Sequence, residues 1–547
     1  LEHYGSPLLL ANAEHVDGGT EDVLRSIIAF FRASAVYFNR VYEPWKCAED
    51  IRIQKSLSEC GIYTRSFQAV VMYEPWEARC EENDSAMRLG FGSVGFFLRA
   101  CEGVKVDTIP LKPPAGLRGY RFSEADIAAE RPFHFDVEDL HLYQLPRRHA
   151  AHEDQAFGRQ GCTFCLVKYG LFADTLCPHT RAGTVDWTVH MTEFWDMTED
   201  GAFRAMNHFL EHGIQEFETR DKHRGDKVGT SMLSPYIRFG QLSARQVLFE
   251  VKCKHGASAS RSYLRKFAWR DLSYWFLWRF PSVCDISFRP HYEHQSWTSD
   301  RTLLQKWQRG QTGFPLVDAA MRQLWCVGYM PNYLRHVVAG FLIEYLNIDW
   351  KQGFAWFHDT LVDADLAIQA FMWQNGGGCG TDSWNFVMHP VNAAKAADPD
   401  GEYVRKWVPE LQALPSGLIH CPWEADLGTL CVANVRLGGT YYRRIVKDLE
   451  KAHEKNFRAV MKIREGIGKD CILPSGHEAI RLDNGRTAVC ITRVDYREKK
   501  LCTFQTPEEK WDKRKRLAHG DTRGHAMKQE MLNYQRRQAE SKFHVVA

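Results

Sequence analysis

The sequence predicts two domains: an N-terminal α/β domain with a parallel sheet, and a larger domain built only from helices. Three observations support this prediction. Apolar segments alternate with a helical pattern in residues 1–115, as in a parallel sheet. Prolines punctuate residues 116–185 and indicate a long connection, and apolar residues recur with helical spacing through residues 186–466. We expect residues 467–547 to form a partly disordered C-terminal extension.

The α/β domain is expected to contain two short strands with a helix between them. Residues 34–39 and 70–73 are short apolar segments, and residues 49–60 have helical spacing that ends at Gly61. The glycine fingerprint of dinucleotide-binding domains is absent from this part of the sequence. The sequence of this domain therefore predicts no cofactor site.

The connection contains a group of cysteines and a histidine that resembles a zinc-binding motif. Cys162 and Cys165 form a CxxC motif, and Cys177 and His179 follow it. A zinc site is one interpretation, but the second half lacks the tight ligand spacing of a finger, which favours free buried thiols and no metal. The 16 cysteines are scattered, as is typical of an intracellular, reducing compartment.

The helical domain is predicted from five segments. Helical spacing extends over residues 201–212, 242–253, 263–278 and 303–330, and a charged last helix is expected over residues 433–464.

Composition excludes some functions. The net charge of +2 gives no global attraction to nucleic acid, and no apolar run is long enough to cross a membrane. The tail contains a cluster of basic residues interspersed with acidic ones. This mixture favours a solvated extension over a binding site for DNA or a protein partner. The basic residues of the cluster are Lys510, Lys513, Arg514, Lys515, Arg516, Arg536 and Arg537.

Hydroxyl groups cluster in residues 229–236. Ser234 precedes Pro235, which predicts that Ser234 caps a helix. Free N–H groups at such a helix start can hold a phosphate, but caps alone explain most hydroxyls in this position.

A second polar cluster lies on a predicted helix. Asp365, Gln369 and Trp373 are spaced by four residues and share one face, which could address a flat polar heterocycle. We expect Asp363 to pair with Arg335. The alternative is an exposed polar face with an internal salt bridge, but the apolar neighbours favour burial, and buried charges need partners.

These segments resemble the photolyase/cryptochrome family. The match rests on residues 312–324 (TGFPLVDAAMRQL) with 329–336 (YMPNYLRH), on Trp269-Arg270-Asp271, and on residues 398–411 (DPDGEYVRKWVPEL). It extends to the α/β domain through residues 37–40 (YFNR) and 73–76 (YEPW), and it covers most of residues 20–465 but not the tail.

The resemblance implies a bound FAD and assigns roles to particular residues. Gln369 would face flavin N5, and Trp373, Trp350 and Trp297 would form an electron-transfer chain for photoreduction under blue light. By spacing alone, these indoles and Trp307 fit a core equally well. The residues implied to hold FAD are Thr230, Ser231, Met232, Leu233, Ser234, Arg335, Asp363 and Asp365.

The chain departs from the pattern of the dimer-repairing members at one position. Lys266 stands where they carry a glutamate that contacts the lesion, and a cation cannot accept the same hydrogen bonds. Trp269, Arg270 and Asn332 remain as candidate DNA or lesion contacts, whereas Pro331 replaces the usual histidine.

These observations favour a cryptochrome-like photoreceptor. The alternatives are a photolyase that repairs cyclobutane pyrimidine dimers and, least favoured, a light-independent protein that has lost its flavin. DNA, or a signalling protein bound through the extension, is the expected partner, in the nucleus or chloroplast. The resemblance also predicts that the first strand of the sheet is missing, which leaves a folate or deazaflavin antenna uncertain.

Overall fold

A computed structural model describes residues 18–80, 91–104, 189–218, 230–468 and 471–501, together with positions 10, 11, 13, 106, 109, 119, 122, 180, 181, 184 and 185. The chain divides into two compact units. One comprises residues 1–69 and 109–160, and the other comprises residues 70–108 and 161–547.

The first unit contains a parallel pair of strands, as predicted. Helix α1 (Gly19–Phe31) precedes β1 (Ala35–Asn39), and α2 (Pro44–Glu59) connects β1 to β2 (Tyr63–Phe67). The strands pair in parallel register from Ala35 opposite Tyr63 to Asn39 opposite Phe67. Gly61 has a φ of 79°, a left-handed conformation that glycine adopts at little cost and that turns the chain into β2. The loss of a first strand stays a prediction.

The predicted strand at residues 70–73 is wrong. This apolar segment belongs to the second unit and is not a strand, and Val71 and Met72 are buried there. The backbone N–H groups of Met72 and Tyr73 each donate to one carboxylate oxygen of Asp271 at 2.9 Å. A side-chain carboxylate thus satisfies the donors that a neighbouring strand would otherwise satisfy.

The second unit is mainly helical, as predicted. It has two short hairpins, β3 (Thr180–Arg181) with β4 (Thr184–Val185), and β5 (Glu478–Arg481) with β6 (Thr487–Cys490). Its helices are α3 (Val94–Ala100), α4 (Val189–Phe194), α5 (Glu199–His208), α6 (Ile214–Glu218), α7 (Ser234–Phe239), α8 (Ala244–Ala259), α9 (Arg261–Arg279), α10 (Arg301–Gln308), α11 (Pro315–Val327), α12 (Asn332–Gly340), α13 (Trp350–Thr360), α14 (Leu366–Gly376), α15 (Pro390–Ala397), α16 (Glu402–Trp407), α17 (Leu427–Val432), α18 (Leu449–Gly466) and α19 (Val494–Glu498).

Shorter helical turns complete this unit. Two are π-helical, at Phe209–Gly213 and Phe341–Tyr345. The 3-10 turns are Pro281–Cys284, Pro290–His294, Pro409–Leu411 and Pro422–Glu424.

Two predicted helices are shorter than the sequence pattern indicated. Residues 303–330 form α10 and α11 rather than one helix, because the intervening Gly313 has a φ of 77° and its N–H donates to the Asp318 carboxylate. The predicted helix at 433–464 begins only at Leu449, where the Asp448 side chain accepts the N–H of Lys451. Local capping and glycine geometry override the apolar periodicity at both places.

Residues 471–501 pack into the helical unit. The Ile491 N–H donates to the Thr381 carbonyl at 2.8 Å, and the Ser383 N–H donates to the Ile491 carbonyl at 3.2 Å. Buried Glu478 pairs with buried Arg289 at 2.9 Å. We call residues 471–501 the C-terminal clasp. The remainder of the predicted extension, from residue 502, lies outside the described residues.

The structure tests the predictions about cysteines and membrane-spanning segments for only part of the chain. No disulfide joins any two of the described cysteines, and the CxxC segment at 162–179 lies outside the described residues. Within the described residues, no helix is both long enough and apolar enough to cross a membrane.

Candidate functional site

Asp363 lies at the centre of a charged cluster just before α14. The Ser234 hydroxyl donates to the Asp363 carboxylate at 2.6 Å. Ser234 is therefore not the predicted helix cap, because Leu233 holds that position and Ser234 is already in α7. A buried carboxylate distant in sequence competes for the hydroxyl that the local pattern assigned to the helix end.

The predicted pair of Arg335 with Asp363 is confirmed. One guanidinium nitrogen of Arg335 donates to both Asp363 carboxylate oxygens, at 3.0 and 2.8 Å. Its Nε donates to the Met330 carbonyl at 2.7 Å, and the guanidinium lies over the Tyr329 ring at 5.4 Å. These contacts fix the orientation of the Arg335 side chain and also pair its charge.

The loop before α7 brings small hydroxyl side chains to the same region. Met232 has a φ of 52°, a left-handed conformation that is uncommon for a residue with a side chain. Thr230 lies near the Tyr329 hydroxyl and Ser231 near the Tyr263 hydroxyl, and burial raises the pKa of both phenols. The hydroxyl side chains of the turn therefore face buried phenols of the helical core.

Asp365 lies immediately before α14 and is held from two sides. Its carboxylate accepts the Ile368 N–H at 3.1 Å as a helix cap. It also accepts the Tyr274 hydroxyl at 2.6 Å and lies 3.3 Å from the Arg270 guanidinium. Burial, with the nearby Asp365 charge, raises the pKa of Tyr274 well above its usual value, so the phenol keeps its proton and donates.

Gln369 is the least satisfied polar side chain of the cluster. It is buried one turn after Asp365, and neither its amide nitrogen nor its amide oxygen has a hydrogen-bond partner in the structure. An unpaired buried amide costs about 1–3 kcal/mol for each lost partner. Such a group fits a bound molecule that presents hydrogen-bonding atoms to it, and flavin N5 is an acceptor of this kind.

The indoles of Trp350 and Trp373 are buried on neighbouring helices, α13 and α14, which pack against each other. Glycines leave them room. A Cβ at Gly353 would lie 2.2 Å from the Trp373 ring, and a Cβ at Gly377 would lie 2.7 Å from the Trp350 ring. Trp297 is half-buried and precedes Thr298, whose N–H donates to the Asn347 carbonyl.

The candidate DNA contacts differ in exposure. Trp269 is half-buried, with its ring 6.0 Å from that of Phe371, whereas Lys266 and Asn332 are exposed. Arg270 is 8% exposed, and its Nε donates to the Val70 carbonyl at 3.0 Å. Its guanidinium also lies 3.3 Å from the Asp365 carboxylate, so the side chain of Arg270 points into the protein and not towards solvent.

Tyr274 was not singled out from the sequence, and Asp271 was quoted only as part of the family motif, without a role. Tyr274 follows Arg270 by one turn of α9, so the pair that holds Asp365 could have been found from this spacing. Asp271 accepts the N–H groups of residues 72 and 73, and its burial raises its pKa to about 7. That contact joins segments 199 residues apart, and no local pattern signals it.

Comparisons with known proteins agree with this geometry. Residues 263–462 match the FAD-binding domain of DNA photolyase, and residues 1–89 match the DNA photolyase family. A deoxyribodipyrimidine photo-lyase of Agrobacterium fabrum is 31% identical over 470 residues, which cover 85% of this chain and 86% of that protein. The chain belongs to the photolyase/cryptochrome family. It is a flavoprotein of that family, and FAD is its cofactor.

Relatives of both kinds match the chain about equally well. Cryptochrome-2 of Arabidopsis thaliana is 30% identical over 499 residues, which cover 88% of this chain and 72% of that protein. The crystal structure of a bacterial class III photolyase from Agrobacterium tumefaciens superposes with a TM-score of 0.69 at 30% identity and covers 85% of this chain and 86% of that chain. The two-domain family architecture follows from these matches, whereas the choice between repair and signalling does not.

Proposed function

We propose that this protein is a cryptochrome-like blue-light photoreceptor that is photoreduced through a chain of tryptophans. When bound, FAD supplies the absorption of blue light and an acceptor for one electron. Buried Trp373 and Trp350 and half-buried Trp297 are the oxidisable groups of the proposed chain. Positive charge that moves outward along them ends at the indole with most access to water.

The residues proposed to hold FAD are pre-arranged. Arg335 and Ser234 fix the Asp363 carboxylate, while Tyr274 and Arg270 fix that of Asp365. Each carboxylate then has its direction set by two protein groups before any ligand arrives, which lowers the entropy lost on binding. The hydroxyl turn at residues 230–234 is the proposed contact for the pyrophosphate.

Gln369 is proposed to face flavin N5. Its unpaired amide can donate a hydrogen bond there, but an amide has no proton to give up near neutral pH. Gln369 would therefore hold bound FAD at N5 through a hydrogen bond without transferring a proton to it. The apolar surroundings of Gln369 in α14 keep water from supplying one quickly.

Lys266 is the observation that favours signalling over repair. It is exposed on α9, one turn before Trp269, at the position where the repairing members carry a glutamate. A cation there cannot accept hydrogen bonds from a flipped dimer. The neighbouring residue Arg265 is also an exposed cation, so this edge of the site favours anions rather than the donor groups of a base.

The second candidate function is repair of pyrimidine dimers by a DNA photolyase. Two side chains favour it: the half-buried ring of Trp269 is available for stacking, and exposed Asn332 begins α12 beside the same site. Stacking of a base on an aromatic ring contributes about 1–3 kcal/mol to binding of single strands. DNA therefore remains a proposed partner, next to a signalling protein that binds the chain beyond residue 501.

One experiment separates these functions. The purified full-length protein with its FAD is illuminated with single- and double-stranded DNA that contains cyclobutane pyrimidine dimers. Photoreduction without loss of dimers supports the photoreceptor. Loss of dimers in light but not in darkness would overturn it in favour of the photolyase, and a protein that takes up no FAD would contradict both.

A further inference from the structure

Trp373 has an aromatic neighbour that does not belong to the proposed chain. Its ring centroid lies 5.1 Å from that of Phe357, in an edge-to-face arrangement at 84°. Phe357 in turn stacks on Trp307, with the centroids 6.2 Å apart and the planes only 11° from parallel. A continuous aromatic path therefore connects Trp373 to a second indole.

The two indoles are close enough for electron transfer. Their centroids are separated by at most the sum of the two distances above, and the Phe357 ring packs against both. Electron tunnelling weakens steeply with distance and is faster through packed matter than through a gap. The phenyl ring is itself too difficult to oxidise to hold the charge, so it acts as a bridge.

The surroundings of Trp307 differ from those of Trp297. Trp307 is 0% exposed, and its indole N–H donates to the Val338 carbonyl of α12 at 3.0 Å. A peptide carbonyl stabilises positive charge on the indole but is far too weak a base to remove its proton. Half-buried Trp297, in contrast, has access to water that can accept one.

We propose that Trp307 is a second electron donor to Trp373, reached through Phe357, and that it forms a reversible side branch. This inference rests on the proposed photoreduction. After the photoexcited flavin has taken one electron from Trp373, one electron passes from Trp307 to Trp373. Trp373 is restored, Trp307 becomes a radical cation that keeps its N–H proton, and the charge can only return. The branch therefore competes with the productive path through Trp350.

The test uses the FAD-loaded full-length protein and detects tryptophan radicals by transient absorption and electron paramagnetic resonance. In Trp350→Phe, which blocks the productive path, we expect a protonated tryptophan radical cation that decays without releasing a proton. Adding Trp307→Phe to this variant should abolish the longer-lived component of the tryptophan radical signal. Adding Trp407→Phe, which removes another buried indole, should leave the signal unchanged.

A second variant distinguishes loss of the electron path from a folding defect. Phe357→Leu keeps an apolar side chain but removes the bridging ring, so it should abolish the same signal in the Trp350→Phe background. FAD content and thermal unfolding of each variant are measured in parallel. If the signal in Trp350→Phe is independent of both Trp307 and Phe357, the inference is wrong although photoreduction stands. If the unaltered protein forms no tryptophan radical in light, both proposals fail.

Discussion

Gly353 in α13 offers a direct way to disturb the Trp373 ring without touching it. A Cβ at this position would lie 2.2 and 2.5 Å from two Trp373 ring carbons and 2.7 Å from the Leu342 side chain. All three distances are shorter than van der Waals contact. Trp373 is 4% and Leu342 0% exposed, so neither can move out into solvent. Gly353→Ala must therefore displace the ring or the helix.

The expected cost follows from two opposing effects. Overpacking a tight core costs about 1–3 kcal/mol, while alanine favours a helix interior over glycine by roughly 0.5–1 kcal/mol. We expect Gly353→Ala to lower the free energy of unfolding by about 1–2 kcal/mol and to slow photoreduction. Gly340→Ala is the matched control, because Gly340 is in α12 and a Cβ there meets nothing within 4 Å.

Urea unfolding and the rate of flavin photoreduction are measured for both variants. Gly340→Ala should gain roughly 0.5–1 kcal/mol and photoreduce normally. If Gly353→Ala is as stable as this control and photoreduces at the unaltered rate, Trp373 does not pack against α13 as described.

Three further predictions concern buried charges. Glu478→Gln removes the anion that pairs with buried Arg289, so unfolding experiments should show a loss of about 3–5 kcal/mol, against about 0–1 kcal/mol for Asp483→Asn in an exposed pair. Arg335→Met leaves Asp363 without its cation and should weaken FAD binding roughly tenfold or more in a titration, because charge-assisted hydrogen bonds contribute about 1.5–3 kcal/mol. The Arg493 guanidinium lowers the pKa of Glu344 to about 2, so its stabilisation is complete above pH 4.5 and is lost as the pH falls towards 2; Glu344→Gln should flatten this part of the stability profile.

The sequence predicted contacts that follow from the requirement that buried charges be paired. Asp363 and Arg335 were matched in this way, because a carboxylate in apolar helical sequence needs a cation. The face that carries Asp365 and Gln369 was likewise predicted from helical spacing. The absence of any partner for the Gln369 amide became evident only in the structure, since it depends on what every neighbouring element presents.

Contacts between distant segments could not be predicted. Ser234 looked like a helix cap because a serine before a proline usually is one, yet its hydroxyl binds a carboxylate 129 residues away. The segment at residues 70–73 looked like a strand because it is apolar, yet Asp271 takes its N–H groups. In both cases a long-range carboxylate outweighed the local preference of the backbone.

The C-terminal clasp shows the same limit. Residues 467–547 were expected to form a partly disordered extension, because the tail is rich in charge and poor in core residues. The structure buries Glu478, Arg493 and Asp495, which pair with charges of the helical unit or with each other. Charged residues are exposed in most proteins, but they become part of a core when another segment supplies their charged partners.

Photoreduction in the Trp373→Phe variant tests the central claim most directly. The unaltered protein and the variant are each loaded with FAD, matched for FAD content, and illuminated with blue light in the presence of a reductant, while the flavin spectrum is followed. We expect the flavin of the unaltered protein to be reduced, and that of Trp373→Phe to stay oxidised although it remains bound. Equal photoreduction in both proteins would show that Trp373 does not supply the electron.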